Sequence, residues 1–435
     1  MNRKLATLIS SLKREKVIVA NASSLMILQL SQFLFPLIIM PYLIRTLGIG
    51  NYGILVFSQT MATYFVMITN YGFHLSAPRE ISFHRENIQK RNEIISSVFI
   101  IKTILLILSY VIMILLVNSI GQFKDNSLVF LTSMLLVVNE VIFPKWFFQG
   151  VEEMGKITLL NIIGRTISVI VMFFIVTEPE HIVRAAFVHT LGGLIAGVIS
   201  IIILFNKYQY KFVPVKFKDL AKDLVEGWNL FVSQLSTVLF QNINVTLLGL
   251  LATPQAVGIY SSGEKVVRIV VSLVNPIGSA IFPNISKLIN ESREKAVIKL
   301  RKILKVGTLF FLFVSFLLFI SSDLIVKILV GDNNIEISTV IRILCLLPTF
   351  VFINNIYGTQ YMVNSRMERQ FRNIIVFSGV SLVVTSFIFV SYLGIIGAAT
   401  ALFISELLLV LLMVYYVEYK NKFDSGLLLK KVQHN

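Results

Sequence analysis

VIVANASSLMILQLSQFLFPLIIMPYLI, residues 17–44, is an apolar run that follows a basic stretch carrying Arg3, Lys4, Lys13, Arg14 and Lys16. Roughly 20 helical residues cross about 30 Å of hydrocarbon, so this run is long enough to span a bilayer. It is too long for a signal-peptide core, and no small-residue cleavage site follows at the right place. It reads as an uncleaved first span, with a bacterial inner membrane as the default home. Eleven further apolar runs follow, at about 53–75, 94–117, 127–148, 157–176, 182–205, 227–250, 258–283, 306–330, 337–363, 374–393 and 398–417. They are continuous and not alternating, which excludes a β-barrel. The predicted fold is all-α and integral to the membrane, with twelve transmembrane helices.

The composition agrees with this reading. Of 435 residues, 56% are apolar and only 14% charged. A soluble protein carries nearly twice that charged fraction, so a soluble enzyme, a disordered chain and a disulfide scaffold are excluded. The single cysteine, Cys345, lies in an apolar run and permits neither a disulfide nor a cysteine-metal site. In a soluble protein the net charge of +16 would suggest nucleic acid. In a membrane protein it first reports topology, and no nucleic-acid partner is expected. With the N-terminus inside, 29 Lys and Arg fall in cytoplasmic segments and 2, Arg45 and Lys124, in outside loops. Both termini are then cytoplasmic. The longest outside loop, Asn118–Asn126, has nine residues. No GxxxxGK[ST], HExxH or GxSxG motif occurs, so neither an enzyme nor a cofactor or metal is expected.

The two halves resemble each other weakly. A shift of 205 residues lays Gly53-Ile54 on Gly258-Ile259 and Pro78 on Pro283; a shift of 212 lays Asn161-Ile162-Ile163 on Asn373-Ile374-Ile375. Each repeat holds six spans, an even number, so the repeats are parallel. The expected organisation is an N-terminal six-helix lobe (1–205), a cytoplasmic linker (206–226), a C-terminal six-helix lobe (227–419) and a cytoplasmic tail (420–435). Two such lobes around a central cavity suit alternating access, and so a transporter.

Charges within the spans are the candidate site. The cations are Lys102, Lys145, Arg165, Arg184, Lys265, Arg268, Lys327 and Arg342; the acids are Glu140, Glu264, Asp323 and Glu406. Each costs about 2.5–3.5 kcal/mol at a lipid-facing helix centre, so they should face protein or a wet cavity. The excess of four cations suits an anionic substrate, because Arg matches phosphate with a planar fork and Lys supplies a point charge. Arg268, Lys265, Arg165, Lys102 and Arg342 are the substrate-binding candidates. Glu264, Glu140 and Glu406 are candidate coupling carboxylates. Lys145 and Arg184 lie near span ends, where snorkelling suffices. The i,i+4 spacing of Asp323 and Lys327 suggests a local pair. Pro36 and Pro41 form a candidate hinge, and Pro276 and Pro348 also lie in or near spans. Trp146, Phe147 and Phe148 read first as an interfacial aromatic belt.

Three stretches carry a family resemblance: PYLIRTLGIGNYGILVFSQT (41–60), PKWFFQGVEEM (144–154) and AIFPNISKL (280–288). They resemble the Wzx-type polysaccharide (O-antigen) flippases of the multidrug/oligosaccharidyl-lipid/polysaccharide exporter superfamily. The resemblance covers nearly the whole chain. It implies movement of an undecaprenyl-pyrophosphate-linked oligosaccharide from the cytoplasmic to the periplasmic leaflet through a cation-lined cavity. Its implied partners are the lipid-linked oligosaccharide, membrane lipids, a polysaccharide polymerase and a chain-length regulator. Arg45 matches a commonly basic position beside a family landmark, where it would gate or support the outer mouth.

Two other readings compete. A multidrug or cation antiporter of the same superfamily should favour an acidic cavity. A polysaccharide polymerase or membrane glycosyltransferase should carry a sizeable periplasmic loop. The charge excess argues against the first and the short outside loops against the second.

Overall fold

The computed structural model describes residues 35–419 in full, and residues 2–34 and 420 by backbone alone. The basic N-terminal stretch, most of the side chains of the first predicted span and the tail 420–435 therefore lie outside the fully described residues. Among the described residues there is no strand. Ten helical stretches among the described residues are long and apolar enough to cross a membrane. The chain divides into two compact units, residues 1–242 and 243–435.

The first unit opens with α1 (Asn2–Asn70), followed by α2 (Phe73–Phe83) and α3 (Ile88–Ser119). A short α4 (Gly121–Lys124) leads to α5 (Ser127–Ser133), α6 (Leu135–Ile142) and α7 (Lys145–Gly150). Then come α8 (Met154–Ile175), α9 (Ile182–Asn206) and α10 (Phe217–Leu251), within which the division between units falls. The second unit continues with α11 (Pro254–Val271), α12 (Val274–Glu291) and α13 (Arg293–Val330). It ends with α14 (Ile335–Leu344), α15 (Leu347–Asn354), a π-helical segment (Asn355–Val363) and α16 (Glu368–Tyr415).

Glycine and proline set the breaks. Gly48 in α1 (φ 79°, ψ 159°) and Gly394 in α16 (φ 55°, ψ −122°) leave helical geometry inside otherwise continuous helices. A Cβ would meet nothing within 4 Å at either. Their backbone conformation, not lack of space, calls for glycine. Pro36 and Pro41 sit inside α1 without a break at either; the departure falls at Gly48. Pro348 lacks the N–H that would bond Leu344, where α14 ends, and Pro276 likewise follows the end of α11.

Close helix packing in the first unit is set by small residues. A Cβ on Gly164 of α8 would lie 2.3 Å from the Gly192 carbonyl of α9, and one on Gly192 2.3 Å from the Gly164 carbonyl. The Ser168 hydroxyl accepts from the Gly192 amide at 2.7 Å beside this contact. Tyr42 donates to the Val176 carbonyl at 2.7 Å, and Asn51 Nδ2 to the Pro179 carbonyl at 3.0 Å. These bonds tie the kinked middle of α1, around Gly48, to the turn between α8 and α9.

The stretch between α9 and α10 is anchored to the first unit at Tyr210 and Val213. Tyr210 is buried, its hydroxyl 3.0 Å from Ser96 Oγ, and the Val213 amide donates to Ser96 at 2.9 Å. Ser97 donates to Asp223 at 2.5 Å. Trp146, Phe147 and Phe148 are buried in the same cluster with Phe73, Ile81 and Tyr210. They are core residues of the first unit and not an interfacial belt. An aromatic triplet at a span end reads alike in sequence whether it faces lipid or protein.

Candidate functional site

The candidate charges form two groups, one in each unit. In the first, Lys102 of α3 is fully buried, and its Nζ donates to Glu140 Oε1 of α6 at 2.9 Å and to the Glu140 carbonyl at 3.2 Å. Lys145 Nζ approaches the other carboxylate oxygen at 3.7 Å and lies 5.3 Å from the Phe143 ring centroid. A continuous helix would place residue i+5 well off the face of residue i. Here Phe143 is extended and Pro144 interrupts the hydrogen-bond ladder, so α7 starts afresh and brings Lys145 back to Glu140. His74 of α2 is near enough to feel both Glu140 and Lys102.

In the second unit, α11 presents Tyr260, Glu264 and Arg268 one turn apart. Arg268 donates from Nε at 2.7 Å and from Nη2 at 2.6 Å to the same Glu264 oxygen. Asn244 Nδ2 donates to the buried Tyr260 hydroxyl at 2.9 Å and to the Ala398 carbonyl at 3.1 Å. Glu406 of α16 accepts from Asn354 Nδ2 at 3.2 Å and lies within electrostatic reach of Arg268. Glu264 is nearly covered, with 9% of its side chain exposed, whereas Arg268 keeps 41%. One edge of its guanidinium is anchored by Glu264, and the side chain as a whole is not fully covered.

The other candidates separate. Arg342 of α14 donates to Ser322 Oγ at 2.9 Å and to Asp323 Oδ2 at 2.5 Å. Asp323 therefore pairs with Arg342 across two helices and not with Lys327, as its spacing suggested. Arg165 is half-buried in α8, with no hydrogen bond or ion pair among the described residues. Lys265 is half-buried beside Glu264, and Arg45 is exposed just before the Gly48 kink. Thus two of the candidate carboxylates, Glu140 and Glu264, are the direct partners of two candidate cations. No group of three metal-ligating side chains occurs among the described residues.

One cluster was not foreseen. Tyr208, just after α9, packs edge-on against Phe147 at 4.8 Å and against Phe148 at 6.3 Å. Arg91, Lys156 and Lys207 stand over its ring at 5.9, 5.4 and 5.2 Å, and Arg91 Nη2 donates to its carbonyl at 2.7 Å. Glu153 pairs with Lys156 and, at 2.7 Å, with Lys207. Burial alone would raise the Glu153 carboxyl, but hydrogen bonds from Lys156, Lys207 and Tyr208 outweigh it and lower its pKa to about 2. The sequence signal was the PKWFFQGVEEM landmark, which supplies Phe147, Phe148 and Glu153.

The sign of the pH effect follows. A carboxyl depressed from about 4.3 stabilises above that value and loses the contribution as pH falls towards 2. The purified protein should lose thermal stability between about pH 4.5 and 2, and Glu153→Gln should flatten that part of the curve. Identical curves would disprove the role of the Glu153 bonds.

Ten apolar helical stretches among the described residues, with charges paired inside them, define a multi-pass helical membrane protein. The chain belongs to the family described as "Polysaccharide biosynthesis protein", whose profile matches residues 18–289. It is 28% identical over 397 residues to a protein of Escherichia coli (strain K12) named "Putative O-antigen transporter", covering 91% of this chain and 96% of that one. A protein of Shigella dysenteriae with the same name is 27% identical over 390 residues, covering 89% and 97%. Among solved structures, the lipid II flippase MurJ in an inward closed conformation aligns with a TM-score of 0.70 at 14% identity, covering 92% of this chain and 87% of that one. An inward-facing multidrug resistance MATE family transporter of the MOP superfamily aligns at 0.67 and 15% identity, covering 89% and 96%. These two likenesses show the fold.

Proposed function

We propose that the protein is a flippase that moves an undecaprenyl-pyrophosphate-linked oligosaccharide repeat unit across the bacterial inner membrane by alternating access, for O-antigen or capsular polysaccharide synthesis. The observation that carries this reading is the likeness, over about nine-tenths of the chain, to two proteins named "Putative O-antigen transporter". The multidrug reading rests on likeness of fold alone. Chemically the protein makes and breaks no bond. Its substrate partner is the lipid-linked oligosaccharide, and a polymerase with its chain-length regulator would consume the product.

Twelve crossings, with both termini cytoplasmic, fit the kinks. Helix α1 (Asn2–Asn70) and the stretch Glu368–Tyr419 have 69 and 52 residues. At about 1.5 Å per residue each is more than twice the roughly 30 Å of hydrocarbon, and Gly48 and Gly394 mark where each turns back. Each half then contributes six spans.

Within this reading Arg268 is the substrate-facing cation. Glu264 holds one edge of the fork, which leaves Nη1 for a phosphate oxygen. Lys265 and Arg165 would supplement it. Lys102, fully covered and bonded to Glu140, serves packing of the first unit. Arg342 does the same between α13 and α14.

The test is deletion of the gene in a polysaccharide-producing host with no paralogue, followed by complementation. The deletion strain should accumulate lipid-linked repeat units and lack surface polymer, and the wild-type gene should restore it. Normal polymer after deletion would refute the reading. Arg268→Ala with Lys265→Ala should reduce polymer by at least about tenfold, a loss of one charge-assisted contact, with Arg268→Lys intermediate. Full activity of the double variant, beside a clear deletion phenotype, would remove only the site assignment.

A further inference from the structure

The long helix α13 carries a feature that the transport reading does not use. Its buried residues, among them Ala296, Val297, Leu300, Leu304, Phe311 and Leu318, lie on one side. The opposite side is one continuous exposed stripe. At 100° per residue, Lys295, Lys299, Lys302 and Lys305 fall within a sector of about 120°. All four are exposed. In the same sector, immediately after them, stand Val306, Leu309, Phe313, Phe316 and Ile320, with Leu309 70% and Phe313 59% exposed. A large apolar stripe of this length is lipid-facing. The lysines therefore continue the lipid-facing stripe where it leaves the hydrocarbon.

Distances along the axis fit the headgroup layer. Taking Val306 as the first apolar residue, Lys305 lies about 1.5 Å beyond it, Lys302 about 6 Å and Lys299 about 10 Å, while Lys295, about 16 Å out, stands on the water side of the layer. The headgroup region is about 5–7 Å thick on each side, and lysine stems extend the reach of the charge. Among the described residues no carboxylate pairs with any of the four; Lys299 touches Asn284 Oδ1 at 2.5 Å. On α13 itself the acids are Glu294, in the first turn beside the lysines, and Asp323, beyond the apolar stripe and paired with Arg342.

The corresponding helix of the first half shows that the fold does not demand these lysines. The 205-residue shift lays the start of α3, Ile88, on the start of α13, Arg293. Lys295, Lys299, Lys302 and Lys305 then correspond to Lys90, Ile94, Ser97 and Ile100. Lys90 is paired with Glu93 at 2.9 Å, and Ser97 is covered by Asp223 from α10. In the first half this face is partly covered from Ile94 to Ile100, and in the second it is cationic and open. The tail beyond residue 420 is itself basic, with Lys422, Lys430 and Lys431 against Asp424, so charge disfavours it as the cover.

We propose that Lys299, Lys302 and Lys305 form a docking site for the phosphate groups of acidic phospholipids in the leaflet at the start of α13, with Lys295 adding attraction from the water side. Acyl chains lie along the apolar stripe, and the headgroup phosphates neutralise the lysine ladder.

The test uses the full-length protein purified in detergent with mixed phosphatidylglycerol and phosphatidylethanolamine, its bound lipids counted by native mass spectrometry. The wild type should retain phosphatidylglycerol in excess. K295Q/K299Q/K302Q/K305Q should lose that excess, with apparent affinity falling by about tenfold or more, since each lysine near a membrane surface contributes to anionic-lipid attraction. The fourfold Lys→Arg variant, which keeps the charge and the orientation signal, should retain it. Gln at Lys211 and Lys216, exposed lysines of the first unit, should leave it unchanged. If the fourfold Gln variant does not fold, K302Q and K305Q singly carry the same comparison. An unchanged excess in the Gln variants would overturn the proposal. So would a ladder whose loss affects undecaprenyl diphosphate and leaves phosphatidylglycerol untouched.

Discussion

Glu140→Ala should destabilise the protein by about 3–5 kcal/mol, the usual cost of stranding one member of a buried ion pair. Lys102 has no exposed side-chain surface, and both bonds of its ammonium go to Glu140. The alanine removes the carboxylate and leaves only the Glu140 carbonyl. Lys145, whose side chain is about half exposed, can turn to water; Lys102 cannot. The measurement is thermal or denaturant unfolding in detergent, with the double variant Lys102→Met plus Glu140→Leu beside it. That double variant should recover most of the loss, because replacing both charges removes the stranded group together with its partner. A loss below about 1 kcal/mol for Glu140→Ala would show that Lys102 sits there uncharged.

The second large effect is expected at the contact of α8 with α9. Gly192→Leu should prevent the two helices from packing and abolish accumulation of folded protein. A Cβ at this position already meets the Gly164 backbone at 2.3 and 2.5 Å, and Ser168 Oγ at 2.8 Å. Backbone atoms cannot turn aside as a flexible side chain can, so α9 would have to move as a whole. Gly192→Ala should be the graded version, costing about 1–3 kcal/mol as ordinary overpacking. Gly121→Ala, where a Cβ would meet nothing within 4 Å, is the control and should fold as the wild type. The readout is the monodisperse fraction after detergent extraction, compared across the three variants. Wild-type yield of Gly192→Leu would mean that the helices do not approach as closely as described.

The helical architecture was largely legible from apolar run length, because a bilayer demands continuous stretches of known minimum length. The turn at Gly394 was legible too, since glycine there stands between two runs that would otherwise merge. Among the charges, only Glu264 with Arg268 could be paired from sequence, being one helical turn apart. Lys102 and Glu140 are 38 residues apart, and nothing local says that α3 and α6 lie side by side. Asp323 shows the opposite failure: its i,i+4 partner Lys327 was available, but Arg342 on the next helix reaches it through Nη2 while its Nε is held by Ser322. The aromatic triplet at 146–148 and Tyr208 were unreadable for a related reason. Composition tells that a ring is near an interface, but not whether its neighbour is a lipid or the returning chain.

That returning chain bears on how the protein could be divided. A cut at residue 205, where the apolar pattern of the first half ends, would deprive α3 and the aromatic cluster of Tyr208, Tyr210 and Asp223, and leave Ser96 and Ser97 without their bonds. Each fragment would carry a raw edge made by the scissors. The seam belongs to the half that precedes it, so a two-piece version assembled from separate genes should place the break beyond α10's contacts with α3 and give the first piece everything up to that point.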